Sequence, residues 1–266
     1  MNTDDYSCLK AKLQTSLVGR ELMVYERVLS TNKTAYDLAL SGAEDGTVII
    51  ADSQSGGRGR RGRSWSSPAG VNLYTSIILR PDIPSLMAPQ LTLMSAVALA
   101  ETVALLLSGF VDIKVAIKWP NDIFLQDKKC AGILTEMKSA GRDVEFVVIG
   151  IGLNLNLRKE SMDTSITGLA SSLYIESGHE FSRSEVAQSL YSAIENWYKR
   201  YLDEGFSPVR EAWNRLSGIQ GRHVRAASGN GYETGIALGV DEEGALLLEG
   251  DAGTVVRITA GDAIFI

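Results

Sequence analysis

Four arginines alternate with glycines in the stretch Gly56-Gly57-Arg58-Gly59-Arg60-Arg61-Gly62-Arg63-Ser64-Trp65-Ser66-Ser67-Pro68-Ala69-Gly70, in a chain whose net charge is −6. Glycines let backbone N–H groups converge on an anion. Arginines add forked, permanently charged donors that fit phosphate or carboxylate. Two lysines extend the cationic set. Lys118 ends an apolar run just before Trp119-Pro120-Asn121-Asp122, and Lys129 stands at a turn. A charge beside a Trp-Pro stop is placed for a reason, whereas Lys128 and Lys129 on their turn would by themselves read as solvated residues. Together these groups read as a phosphate- or carboxylate-gripping loop of an enzyme.

Other readings of the loop fit less well. Gly57-x-Gly59-x-x-Gly62 matches the dinucleotide fingerprint, but that motif needs a helix to start in the loop, and Ser66-Ser67-Pro68-Ala69-Gly70 and a further strand follow instead. No Gly-Lys dipeptide occurs, so a P-loop is excluded. Arg/Gly segments that bind RNA are long and of low complexity, whereas this one is short and lies between two apolar strands.

The elements that must position the loop can be read from periodicity. Val48–Ala51 is a buried strand leading into it, and Val71–Arg80 is the strand leaving it. Pro89–Leu107 is a helix with apolar residues nearly all round, so it should be buried. Ile113–Lys118 is a strand halted by Trp119-Pro120. Ile123–Leu125, the turn 126–129 and Ala131–Glu136 form a hairpin. Along Val147–Leu157, Ile149, Ile151, Leu153, Leu155 and Leu157 share one face, while Gly150, Gly152, Asn154 and Asn156 share the other. A glycine and asparagine face suits a flat ligand lying close to the backbone, or else a closely packed strand. Helices follow over 184–204 and 208–217. Composition then shifts. From His223 to Ile266, short β-runs broken by Gly-Asn-Gly, Asp-Glu-Glu-Gly and Ala-Gly-Asp suggest a small barrel of about five strands. Residues 1–20 read as a short amphipathic helix, 21–218 as a catalytic domain and 219–266 as the barrel.

Composition agrees with a soluble globular protein, at 45% apolar and 22% charged residues over 266 positions. The acidic balance argues against non-specific nucleic-acid binding. Two cysteines, Cys8 and Cys130, form neither a disulfide framework nor a metal site, so no protein metal ligand is expected and a cytoplasmic location is. The N-terminus is acidic with no apolar run behind it, unlike a signal peptide. The greasy segment 88–110 is broken by Glu101 and small polar residues, and reads as a core helix rather than a membrane span.

Five motifs in order resemble the biotin–protein ligases, in their monofunctional form. They are Ser30-Thr31-Asn32; Gln54 followed by the Arg/Gly loop to Trp65; Lys118-Trp119-Pro120-Asn121-Asp122; Lys129-x-Ala131-Gly132-Ile133-Leu134-x-Glu136; and Gly150-Ile151-Gly152-Leu153-Asn154. The resemblance runs from about Val28 to the C-terminus. It implies a mixed α/β (α+β) catalytic domain with a mixed sheet, related to class II tRNA synthetases, followed by a small SH3-like β-barrel. It also implies ATP and Mg²⁺ as cofactors, biotin as substrate, and the carrier domain of acetyl-CoA carboxylase or another carboxylase as partner. The winged-helix domain of the bifunctional type has no room here, so no DNA is expected, nor a membrane; a homodimer is left open.

The resemblance also assigns residues. Ser30, Thr31 and Gln54 would meet the neutral ureido ring of biotin. Asn32, Arg58, Gly59, Arg60, Lys129, Gly132, Gly150 and Gly152 would complete the biotin site. Arg60, Arg61, Trp65, Lys118 and Asn154 would hold the nucleotide, with Trp65 covering the adenine and Asn154 facing the phosphates. Lys129, Arg60 and Asp122 would serve the chemistry, Asp122 by orienting or deprotonating an incoming lysine. Ser55, Ser64 and Cys130 depart from the residues usual in the family, and none of them removes a charge. The competing expectations are a lipoate ligase or an octanoyl transferase of the same superfold, the latter with a cysteine nucleophile for which Cys130 would be the candidate, and a non-catalytic ligand-binding regulator. The loop is expected to be mobile when empty, because its four arginines repel each other without an anion.

Overall fold

The computed structural model describes residues 6, 8–163, 168–228, 231–251 and 253–266. A seven-stranded sheet in the order β1-β2-β3-β7-β6-β5-β4 forms the larger unit. Its strands are β1 (Leu22–Val28), β2 (Val48–Gln54), β3 (Leu73–Leu79), β4 (Val115–Lys118), β5 (Asp122–Leu125), β6 (Lys128–Ala140) and β7 (Asp143–Leu153). Only β1 and β2 run parallel; every other neighbouring pair in this sheet is antiparallel. The sheet is therefore mixed, as expected.

Side chains alternate across the strands, and the two faces meet different partners. Val48 and Ile50, Ile77 and Leu79, and Val147, Ile149, Ile151 and Leu153 enter the large core. That core surrounds the long helix Ala88–Leu106, which packs beside the helices Arg183–Glu204 and Ser207–Leu216. The stretch Ser85–Leu106 is long and apolar enough to cross a membrane, yet most of it is buried inside the fold, against the sheet and its two neighbours. Ile49, Ile78, Phe146 and Val148 face the other way. They form a small second core with Ala35 and Ala39 of the helix Thr31–Leu40. Along β7 that second face reads Phe146, Val148, Gly150, Gly152. The apolar side chains stop where the glycines begin, level with the N-terminus of Thr31–Leu40. A shallow space opens there.

The elements differ from the sequence reading in several places. Among the described residues the N-terminal segment is helical at Tyr6 and over Leu9–Lys12, whereas 13–20, expected to continue the helix, are not helical; residues 1–5 and 7 lie outside the described set. The segment after it is held by a side chain: Glu195 accepts from the backbone N–H groups of Ser16, Leu17 and Val18 at 2.9, 2.7 and 2.9 Å. The strand expected over 147–157 ends at Leu153. Beyond it the backbone leaves the sheet, because the Asn72 side chain accepts from Leu155 N and Asn156 exchanges hydrogen bonds with Phe181. The strand β1 and the helix Thr31–Leu40, whose N-cap and first turn carry the Ser-Thr-Asn motif, were not anticipated as elements.

The C-terminal unit has the five strands expected of it: β8 (His223–Ser228), β9 (Gly231–Val240), β10 (Leu246–Glu249), β11 (Val255–Ile258) and β12 (Ala263–Phe265). They form one antiparallel sheet ordered β11-β10-β9-β8-β12, a small barrel-like domain. Its buried residues Val224, Ala226, Leu246, Leu248 and Ala263 merge with the large core, so the two units share a continuous interior.

The anchoring of the N-terminal segment carries a pH signature. Burial alone would raise the Glu195 carboxyl, but Lys199 and the N–H groups of Ser16, Val18 and Leu17 outweigh it and hold the group down to about 2. A depressed carboxyl stabilises the fold above its unfolded value of 4.5, and that stabilisation is lost as pH falls toward 2. Glu195→Gln should therefore lower the melting temperature at neutral pH, and the difference from the parent should shrink between about pH 5 and about 2. Thermal melts across that range check it; a constant difference would contradict it.

Candidate active site

A cavity of about 380 Å³ lies on the glycine face of the sheet. Its walls bring together Ser30, Thr31, Asn32, Gln54, Arg58, Gly59, Arg60, Trp65, Asp122, Lys129, Gly132, Gly150, Gly152 and Asn154. Arg61 and Lys118 are not among the lining residues. The register explains the flat floor: Gly132 pairs with Gly152 across β6 and β7, and Ser76 of β3 pairs with Gly150.

The glycines are needed by neighbours within the protein. A Cβ on Gly150 would collide with the Asn32 side-chain amide, and one on Gly152 would come within 2.6 Å of the Trp65 indole. A Cβ on Gly132 would press on both Trp65 and Lys129 at 3.2 Å. These contacts are those of a closely packed strand that also lines the cavity. In this structure Trp65 lies on the glycine floor with Lys129 Nζ 5.4 Å from its ring centre, a cation–π distance. Its indole N–H is buried without a hydrogen-bond partner among the described residues.

At one end of the cavity the polar groups are neutral. Gln54 Oε1 accepts from Thr31 N at 2.9 Å and from Thr31 Oγ1 at 3.2 Å. Gln54 Nε2 donates to Ser67 Oγ at 2.8 Å, and Ser67 Oγ donates to the Trp65 carbonyl at 3.1 Å. Ser76 Oγ lies 2.7 Å from Asn32 Oδ1 and 2.8 Å from Thr31 Oγ1. Ser30, Thr31 and Asn32 are buried at the start of their helix.

At the other end the groups are charged, and each cation has a carboxylate. Arg58 lies 3.0 Å from Glu136. Lys129 Nζ lies 2.6 Å from Asp122 Oδ1. Arg60 donates to Asn121 Oδ1, Asp262 Oδ1 and Gly261 O at 3.0, 2.9 and 2.9 Å. Arg63 also pairs with Asp262. Burial lowers the Arg60 guanidinium below its ordinary value, and Asp262 and Asp122 oppose the shift. The loop closes on itself, with Trp65 N donating to Gly57 O and Gly59 N to Arg63 O. Three of the four arginines are neutralised from within, which answers the repulsion expected of an empty loop. Arg61 is the exception: it sits at the exposed tip in the left-handed region, at φ 55°. Lys118 is half-buried next door, 5.0 and 5.7 Å from the ring centres of Phe124 and Phe265. Burial lowers its ammonium, partly offset by Asp122. Asn154 lines the cavity, but its amide donates to Ser171 O at 3.0 Å.

Residues 24–154 match the model of the Biotin/lipoate A/B protein ligase family, and residues 219–266 that of the Biotin protein ligase C terminal domain. The Biotin–[acetyl-CoA-carboxylase] ligase of Paracoccus denitrificans is 36% identical over 241 residues, covering 90% of this chain and 98% of that protein. This chain belongs to the biotin protein ligase family. The Bifunctional ligase/repressor BirA of Bacillus subtilis is 40% identical over 94% of this chain and 75% of its own length. The solved biotin protein ligase from Aquifex aeolicus in complex with biotin and ATP superposes with a TM-score of 0.79 at 28% identity, covering 93% and 99% of the two chains.

Sequence reasoning missed four contributors. Asp262 and Gly261 come from the C-terminal unit, Glu136 was quoted in a motif but given no role, and Asn121 holds Arg60 while donating to Ile133 O. The one signal in the sequence was the Gly-Asp pair before the last strand, read there only as a turn. Among the described residues, no group of three His, Cys, Asp or Glu could hold a metal ion.

Two measurements follow from this geometry. Cys130 is fully buried and burial pushes its thiol upward, whereas Cys8 is exposed. A thiol reagent at neutral pH should label one cysteine quickly in the native protein and two after denaturation; rapid labelling of Cys130 would contradict this placement. Gly150→Ala should displace Asn32 and weaken ligand affinity roughly ten- to hundredfold, on the scale of one or two lost hydrogen bonds in a buried site, as titration calorimetry would report.

Proposed function

We propose that this chain activates biotin with ATP to biotinyl-5′-adenylate and transfers the biotinyl group to a lysine of a biotin carrier domain. The juxtaposition of a neutral donor–acceptor pocket with a row of cations in one cavity carries the reading, because biotin has a neutral ureido ring at one end and a carboxylate at the other. The matched C-terminal domain model favours biotin over lipoate. The buried, upshifted thiol of Cys130 disfavours an acyl-thioester route.

In the first step a biotin carboxylate oxygen attacks the α-phosphorus of ATP, a P–O bond forms, and pyrophosphate leaves with the electrons of the broken P–O bond. Ser30, Thr31, Asn32 and Gln54 hold the ring. Arg58, Arg60 and Lys129 reduce the repulsion between carboxylate and phosphate and stabilise the charge developing on phosphorus. Lys118 lies alongside for the outer phosphates, and Trp65 would have to leave the glycine floor to cover an adenine. Lys129 must give up Asp122 to grip the substrate carboxylate. Asp122 is then free to orient the carrier lysine and accept a proton from it; in the second step the neutral amine attacks the acyl carbon, a C–N bond forms, the acyl C–O bond to phosphate breaks and AMP leaves. Mg²⁺ would be held chiefly by the nucleotide's phosphates, since the carboxylates here are engaged with cations. The carrier domain of acetyl-CoA carboxylase is the proposed partner, in the cytoplasm, and this chain is proposed to bind no DNA and no membrane.

Biotin-dependent exchange between ATP and labelled pyrophosphate tests the reading directly. Lys129→Ala should slow exchange by roughly a hundredfold or more, the scale of one lost charge donor in the transition state. Exchange supported by lipoate or octanoate and not by biotin would overturn the assignment.

A further inference from the structure

Glu136 stands on β6, two residues beyond Leu134 and four beyond Gly132, on the face that floors the cavity. Its two carboxylate oxygens are divided between the two ends of the site. Oε1 lies 3.0 Å from Arg58 Nη2 of the loop, and Oε2 accepts from Asn32 Nδ2 at 3.0 Å. Asn32 Nδ2 also donates to Leu134 O at 3.0 Å. An ionised carboxylate and a carbonyl are acceptors only, so both hydrogens of the Asn32 amide are committed toward β6. Asn32 Oδ1 must then face the other way, toward Ser76 Oγ and the cavity. Ser76 has one proton to give, and an amide oxygen that can only accept takes it. Thr31 Oγ1 is left to donate to Ser76 or to Gln54 Oε1. The donor–acceptor direction of the neutral pocket is therefore set from the Glu136 end.

We propose that Glu136 is a positioning residue that couples the neutral pocket to the arginine loop. One oxygen holds Asn32 with its carbonyl oxygen available to a ligand N–H; the other pins Arg58 beside the pocket where a ligand carboxylate would lie. A ring that hydrogen-bonds Asn32 tightens the Asn32–Glu136 contact and, through the shared carboxylate, favours the seated loop. This inference rests on biotin being the ligand, and goes beyond it in giving the loop a link to ring recognition that does not pass through the substrate.

Two substitutions separate the oxygens' tasks. Glu136→Gln keeps an acceptor for Asn32 but loses the charge that holds Arg58. Glu136→Ala loses both and leaves one Asn32 hydrogen without its partner. In pyrophosphate exchange, Glu136→Ala should raise the KM for biotin about tenfold or more and leave the KM for ATP within about twofold. Glu136→Gln should keep the biotin KM within about threefold of the parent, while trypsin cleaves after Arg58 faster and biotin alone protects that bond less. A biotin KM unchanged in Glu136→Ala would overturn the proposal. So would equal rises in both KM values, which would mark a general structural role. Should Glu136→Ala fail to fold, the isosteric Gln variant decides: cleavage after Arg58 and its protection by biotin equal to the parent would overturn the proposal. Absence of biotin-dependent exchange in the parent protein would instead remove the biotin reading and leave the Glu136 contacts as they stand.

Discussion

Everything in this site depends on neutralising a concentration of positive charge before any ligand arrives. Arg58, Arg60, Arg63 and Lys129 crowd one cavity, and like charges at such spacing repel strongly where solvent is partly excluded. Glu136, Asp262 and Asp122 provide the counter-charges, each from a different part of the chain. On the proposed function, a substrate anion would enter a balanced site and exchange partners with these carboxylates, so that its binding would reflect a difference between two ion pairs.

The sheet supplies the geometry for that exchange. On its second face, the side chains run from Phe146 and Val148 to Gly150 and Gly152 without any break in the ladder, so core gives way to cavity within one strand. The helix Thr31–Leu40 covers the apolar half and presents Thr31 and Asn32, with Ser30 just before them, at the edge of the open half. One regular strand thus serves packing at one end and lines the cavity at the other.

Much of this was legible in the sequence, because local chemistry announces itself. The glycine face of β7, the Arg/Gly loop, the lysine before Trp119-Pro120 and the five C-terminal strands all follow from short-range pattern, and all are present. What was illegible was partnership across the chain. Asp262 is 202 residues from Arg60, and nothing about an acidic residue near a turn tells which arginine it will meet. Arg61 carries the same charge as its neighbours, yet a left-handed backbone at the loop tip sends it away from the cavity. Periodicity also continued through Leu155 and Leu157 although the strand had ended. Both side chains are buried, and the hydrophobic signal reports burial more faithfully than backbone pairing.

The contact of Asp262 with both Arg60 and Arg63 bears on how such proteins can be taken apart and recombined. The C-terminal sheet looks like a portable module, with its own strands and hairpins. Yet one aspartate and the adjacent glycine carbonyl are ligands of a loop in the other unit. A chimaera built by grafting a foreign C-terminal module would inherit a working loop only if the graft delivered a carboxylate and a carbonyl to the same spot. Loop and module are then under joint selection: a change of length before the last strand, or of arginine spacing in the loop, requires an answering change in the other.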